Sequence, residues 1–248
     1  MDIRNYKYTH GVLKDRVILI TGATDGIGRA LARHCAELGA RVILHGRNVR
    51  KLEAVYDEIE AIPKAPRPSI AVLDLATAGS EAYVDLADSI DGEFGRLDGL
   101  VHNASMLGSR LSIEQYNPAE WQQVLHVNLT AAFILTQALL PLLKRSSDPS
   151  IVFTSSGVGR VGKPFWGAYA VSKFGTEALS AILAGETGHT GLRVNCINPG
   201  PVRTKMRLAA YPAENREAVP TPEHILAPYV YLLGPDSRGV TGQSLDAQ

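Results

Sequence analysis

Tyr169 and Lys173 stand four residues apart in Tyr169-Ala170-Val171-Ser172-Lys173, inside a pattern that predicts a helix over 169–186. That spacing brings both side chains to one helix face. A phenol ionises near pH 10, so around neutrality it needs help to act as a proton-transfer group. A neighbouring ammonium supplies it by favouring the phenolate. The same pair is also common on exposed helices, where it does no chemistry. Thr154-Ser155-Ser156-Gly157 follows the apolar run Ile151-Val152-Phe153. A serine hydroxyl there can hold and polarise a carbonyl or alcohol, or simply cap a turn. Asn128 falls in line with Val124, Leu125, Ala132, Leu135 and Leu139 on the stripe expected to be buried. A buried amide is costly unless hydrogen-bonded, which predicts a specific partner, a water or a helix kink at this point.

The second group of chemistry-bearing residues is Thr21-Gly22-Ala23-Thr24-Asp25-Gly26-Ile27-Gly28, between the apolar run Val17-Ile18-Leu19-Ile20 and a helical pattern. A tight turn at Gly22, close backbone approach at Gly26 and helix-on-strand packing at Gly28 would suit a pyrophosphate at a helix N-terminus. A packing turn without ligand is the alternative. The carboxylate that would grip an adenosine ribose is expected about 20 residues on. That region reads His45-Gly46-Arg47-Asn48 and contains no Asp or Glu; Arg47, Arg50 and Lys51 follow instead. A guanidinium matches a 2′-phosphate, so Arg47 favours NADP(H), with NAD(H) as the second cofactor; solvated charges on a helix start are the competing reading.

Positioning these residues requires alternating strands and helices. Apolar runs at 17–20, 42–44, 70–73, 100–101, 151–153 and 194–197 lack polar alternation, as in a parallel sheet covered on both faces. Helical patterns lie between them at 27–38, 48–62, 80–94, 118–144 and 169–186. Asn117 before Pro118 reads as a cap and first-turn proline. The stripe Val171, Phe174, Ala178 and Ile182 is expected to meet the sheet. The prediction is α/β: one doubly wound Rossmann-like domain over 1–248, of about seven parallel strands with helices on both faces, its ligand beyond the strands' carboxyl ends. The proline-bearing segment 205–222 is expected to form a mobile lid.

Composition narrows the class. Twenty-five basic residues balance 25 acidic ones among 248, which argues against nucleic acid. Two cysteines, Cys35 and Cys196, cannot make a disulfide framework. The N-terminal residues Met1 to Tyr8 have no apolar signal core, and the apolar stretch 131–143 is too short to span a bilayer. A cytoplasmic chain without a membrane partner is expected. The seven histidines show no metal-ligand spacing, so no metal site is expected. His102 is expected to pack or cap. Met106, Phe165 and Trp166 could line a pocket, and Arg160, Lys163, Arg203, Lys205 and Arg207 surround its mouth, as solvated charges or as a site for an anionic substrate.

Together the motif at 21–28, Asp74-Leu75 after the third run, His102-Asn103-Ala104 after the fourth and Pro199-Gly200-Pro201-Val202-Arg203-Thr204 resemble a short-chain dehydrogenase/reductase over essentially the whole chain. It is similar in detail to a bacterial subgroup, the YciK-like oxidoreductases, through Val152-Phe153-Thr154-Ser155-Ser156, Trp166-Gly167-Ala168-Tyr169 and Asp246-Ala247-Gln248. The resemblance implies a catalytic tetrad of Asn128, Ser156, Tyr169 and Lys173, with Asn128 holding a water that relays protons towards Lys173. It implies that Gly22, Thr24, Asp25, Gly26, Ile27 and Gly28 surround the pyrophosphate and its ribose, and that Arg47 meets the 2′-phosphate. Asp74 and Leu75 would border the adenine, Asn103 and Ala104 line the cofactor, and Pro199 and Gly200 close over the nicotinamide. Val202 and Thr204 would fix the carboxamide, while Lys173, beside Tyr169, would also hold the nicotinamide ribose. The chain departs from the family at Ser105, where Gly is usual, and at Asp25, where many NADP-dependent members are basic. It also has Asp246-Ala247-Gln248 in place of Asp-Gly-Gly. The implied reaction is hydride transfer between NADP(H) and a carbonyl/alcohol substrate in a homo-oligomer, dimer or tetramer. The alternative is a non-catalytic NADP(H)-binding sensor or scaffold.

Overall fold

The computed structural model describes residues 3–248, so Met1 and Asp2, where the N-terminal reading begins, lie outside the described residues. Seven parallel strands form one sheet among them: β1 (Val17–Thr21), β2 (Arg41–Gly46), β3 (Ser69–Val72), β4 (Gly99–His102), β5 (Ser150–Thr154), β6 (Arg193–Asn198) and β7 (Ser244–Asp246). Their spatial order is β3-β2-β1-β4-β5-β6-β7. Chain direction across the sheet reverses between β1 and β4, which opens a crevice beyond their carboxyl ends.

Strand periodicity divides the apolar residues between two cores. Ile18, Ile20, Val42, Leu44, Val101 and Val152 face one side, where α1 (Gly26–Glu37) and α2 (Val49–Glu60) pack. Leu19, Ile43, Leu100, Ile151 and Phe153 face the other, against α3 (Ser80–Phe94), α5 (Ala131–Lys144) and α6 (Gly167–Thr187). Local chemistry starts these helices: the Asp25 carboxylate caps α1 at Gly26 N, and Asn48 caps α2 by accepting from Lys51 N. Asn117 accepts from Ala119 N and Glu120 N to start α4 (Pro118–Leu125), with Pro118 in its first turn.

Several expectations need correction. The helix predicted over 118–144 is interrupted by a π-helical turn, His126–Thr130, centred on Asn128. Counted through that turn it is a 27-residue helix with a window of mean hydropathy 1.5, long and apolar enough to cross a bilayer by length and composition. Reading only 131–143 as the apolar stretch underestimated it; in this fold Val127, Ala131, Leu135 and Leu139 are buried in the second core. The stripe Val171, Phe174 and Ile182 is exposed rather than against the sheet, and Ser172, Lys173, Thr176 and Ser180 face inward instead. Periodicity marks an apolar face but not what covers it. The segment expected as a lid carries its own helix, α7 (Lys205–Ala210). A further helix, α8 (Ala227–Leu233), is buried in the first core.

At the amino ends of the strands, Asp148 is 7% exposed and collects three guanidinium groups. Arg16 Nη1 lies 2.7 Å from its carboxylate, Arg193 Nη2 3.1 Å and Arg238 Nε 3.3 Å. Burial works to raise the Asp148 carboxyl, but Arg193 and Arg16 outweigh it and hold the pKa below the ordinary value.

Candidate active site

The crevice between β1 and β4 holds a cleft of about 400 Å³. Gly22, Thr24, Asp25, Gly26, Ile27, Arg47, Asp74, Leu75, Asn103 and Ala104 line one part of it. Ser156, Tyr169, Lys173, Pro199, Gly200, Val202 and Thr204 line the rest. Met106 and Trp166 also line it, whereas Phe165 is exposed outside it, and two residues that the resemblance assigned to the site are not on its wall. Gly28 lies beneath the turn, where an added Cβ would stand 2.3 Å from the Gly22 carbonyl oxygen, so only glycine lets helix and turn meet there. Asn128 lies behind the wall, donating from Nδ2 to the Met106 carbonyl (2.9 Å) and Ser172 Oγ (3.0 Å), and accepting at Oδ1 from Met106 N (2.7 Å). Its amide therefore has the partners that burial demands, and the helix is also irregular there.

Tyr169 and Lys173 are both buried, one turn apart on α6. Lys173 Nζ donates to the Thr154 carbonyl at 2.7 Å and stands 5.7 Å from the Tyr169 ring centroid. Burial pushes the Tyr169 phenol up to about 12, against a hydrogen bond with Ser156 that pulls it down. The four-residue spacing from Lys173 predicts the opposite, a phenol eased towards phenolate. Desolvation wins because the phenol is buried, while the ammonium is held on a main-chain carbonyl. Burial also brings Lys173 down to about 8, although Cys196 and Glu177 favour its charged form. A buried phenol that keeps its proton is a proton donor.

The glycine turn is tied to the neighbouring strand through a residue that sequence reasoning left without a role. Thr21 Oγ1 accepts from Asn103 N (2.9 Å) and Ala104 N (3.0 Å), and Asn103 Nδ2 donates to the Thr21 carbonyl at 3.1 Å. Gly22 has φ +67, a left-handed conformation that glycine adopts without strain. Asp25 caps α1 and meets Lys205 Nζ at 2.6 Å. Burial raises its carboxyl, but the Lys205 ammonium and the Gly26 N–H more than offset that. Arg47 is largely exposed, with Nη1 4.0 Å from the Asp74 carboxylate. Thr204 caps α7 by accepting from Arg207 N. Gln248 was also missed as a contact: its amide donates to the Pro199 carbonyl (2.5 Å) and the Pro201 carbonyl (2.8 Å). His102 is packed away from the cleft, bonded to Thr136 Oγ1 at 2.8 Å and stacked on Phe153. Burial holds it down to about 3, so it is neutral.

The wall carries polar groups that the protein leaves unpaired. Both His45 ring nitrogens, Ser105 Oγ and Ser155 Oγ are buried without a protein partner, and all three residues border the cleft. Such groups call for an acceptor or donor from a ligand. Among the described residues no group of three or more His, Cys, Asp or Glu side chains converges as a metal site would require.

Known proteins share this fold. The uncharacterized oxidoreductase YciK of Escherichia coli K12 is 49% identical over 244 residues, 98% of this chain and 96% of that protein. A short-chain-dehydrogenase-type protein of Shigella flexneri 2a strain 301, crystallised with NADP, superposes with a TM-score of 0.94 at 49% identity, covering 97% of this chain and all (100%) of the other. One from Escherichia coli CFT073, crystallised with NADPH, gives the same score, identity and coverage, 0.94, 49%, 97% and 100%. The family profile described as short chain dehydrogenase matches residues 16–215, and with these likenesses the seven-stranded parallel fold identifies the chain as a member of the short chain dehydrogenase family.

Proposed function

We propose that this oxidoreductase-family chain binds NADP(H) and interconverts a carbonyl and an alcohol. The observation that carries the reading is that Ser156, Tyr169 and Lys173 share one cleft with the glycine turn. NADP and NADPH in the two homologous crystal structures support the choice of cofactor. When bound, the nicotinamide gives or takes the hydride. Tyr169 gives the proton to the carbonyl oxygen in the reductive direction, Ser156 orients that oxygen, and Lys173 offsets the charge left on the phenol. Any relay through Asn128 must use its main chain or the second lone pair of Oδ1, because both amide hydrogens are engaged. NADPH absorbance over a broad carbonyl panel tests the reading. NADPH binding without turnover of any compound would favour the sensor alternative.

Arg47 would hold the 2′-phosphate, with the Asp74 carboxylate as its present neighbour. Charge-assisted hydrogen bonds contribute ~1.5–3 kcal/mol, so Arg47→Ala should weaken NADPH on the order of 10- to 100-fold and leave NADH nearly unchanged. Titrations with both cofactors check this, and equal losses for the two would remove Arg47 from phosphate recognition.

The exposed Val171, Phe174 and Ile182 on α6, with Phe133 on α5, support a homo-oligomer in which α5 and α6 meet a second copy. Phe174→Glu should lower the mass seen by analytical ultracentrifugation at micromolar concentration. An unchanged mass would move the interface elsewhere.

A further inference from the structure

Beyond the Tyr169 phenol the cleft is walled by apolar side chains. Leu107, Trp166, Met206 and Ala210 join Tyr169 in one apolar cluster, and all of them border the cleft. Trp166 is the nearest aromatic neighbour, its ring centroid 5.7 Å from that of Tyr169.

Three of the cations beside this wall face carboxylates, whereas Arg110 faces aromatic rings and its Nε has no partner. Arg207 grips Glu214 through Nε at 2.7 Å and Nη2 at 2.5 Å, with its guanidinium 3.9 Å from the Tyr211 ring centroid. Lys205 is paired with Asp25 at 2.6 Å, and Arg203 with Glu217 at 3.2 Å. Arg110 stands behind Trp166, its guanidinium carbon 4.5 Å from that ring centroid and 5.0 Å from that of Tyr211, and it donates to the Ala210 carbonyl. Stacked on two rings and bonded to the end of α7, it fastens the wall. An anionic substrate would have to compete with Glu214 for Arg207 or lie desolvated against Trp166 and Met206, and the second option is costly. A neutral apolar group gives up no hydrogen bond there, and each methylene it buries favours binding by about fourfold.

Resting on the hydride-transfer reading, we propose that the substrate is an uncharged carbonyl compound, or its alcohol, whose carbonyl carbon carries an aryl, cyclic or branched alkyl group seated against Trp166, Leu107 and Met206. The anionic substrate entertained from the ring of basic residues is thereby set aside, and Met206 and the Arg207–Glu214 pair become determinants of specificity.

A matched pair tests this with the whole enzyme. Methyl phenylglyoxylate and phenylglyoxylate present the same ketone beside an ester or a carboxylate. The kcat/KM with NADPH should favour the ester by at least about tenfold, and Glu214→Gln, which frees Arg207, should shrink that ratio several-fold. Binding is read separately, as the rise in Tm of the NADP+-loaded enzyme with methyl mandelate against mandelate. A preference for the carboxylate, equal use of both, or a ratio unmoved by Glu214→Gln would overturn the proposal. Stabilisation by the neutral ester alone, without turnover of either ketone, would uphold the pocket assignment and count against hydride transfer instead. Neither turnover nor stabilisation would overturn the pocket assignment as well.

Discussion

Tyr169→Phe is expected to lower kcat by ~10²–10⁴-fold, the usual contribution of a positioned general acid, while NADPH binds as it does to the unchanged enzyme. The substitution keeps the ring that packs beside Trp166 and removes only the hydroxyl bonded to Ser156. Because burial pushes the phenol up to about 12, the wild-type proton donor should stay loaded across the working range, and reduction should not fall off through titration of Tyr169 near neutrality. Lys173, brought down to about 8 by burial, should instead place a break in the kcat/KM profile near that pH. The break should disappear in Lys173→Met. Stopped-flow reduction with fluorescence-detected NADPH binding reads all of this. Full turnover by Tyr169→Phe would remove the phenol from the chemistry and favour the binding-only alternative.

Much of the scaffold around that phenol could be read from residue order. Unbroken Val and Ile runs can satisfy a parallel sheet only when both faces are covered, and Val17–Thr21 and Ser150–Thr154 are buried along their whole length. Asn117 before Pro118 announced a helix start because a short polar side chain accepts from free N–H groups there, and Asp25 and Asn48 cap α1 and α2 in the same way without having been read as caps. β7 escaped notice because Ser244–Asp246 is a short edge strand without an apolar run. The helix Ala227–Leu233 escaped because it is apolar all round and so shows no face.

Which residues line one cleft was largely legible, and the proton affinities that the cleft imposes were not. Residues dispersed between Gly22 and Thr204 do line one cleft, as strand-end positions in such a fold must. The sign of the phenol's shift depends on enclosure, which spacing along α6 does not encode. Gln248 and Thr21 act through tertiary hydrogen bonds to Pro199, Pro201, Asn103 and Ala104, and no local pattern points to such partners. Arg47 remained ambiguous in the sequence because its proposed partner is a ligand phosphate, and in the fold it is exposed beside the Asp74 carboxylate.

Far from the cleft, Asp148→Asn should be strongly destabilising at neutral pH. The carboxylate lies between Arg16 and Arg193, the latter only 3% exposed, and the amide would leave these guanidinium groups buried together without a counter-charge. Breaking one partner out of a buried pair costs ~3–5 kcal/mol, which at this chain length lowers Tm by on the order of 10 °C. The sign with pH follows from the depressed carboxyl. Its contribution is fully present above the unfolded-state pKa, about 3.9, and is lost as pH falls through the lower folded-state pKa. Wild type and Asp148→Asn should therefore differ most at neutral pH and converge in strong acid. Arg193 works against the fold on its own, since burial lowers its pKa and Asp148 opposes that. Removing both charges with Asp148→Leu and Arg193→Met should accordingly recover part of the stability that Asp148→Asn alone loses. Differential scanning calorimetry across a pH series measures both effects, and an Asp148→Asn deficit that persisted undiminished into strong acid would show that packing, not charge, is what this cluster contributes.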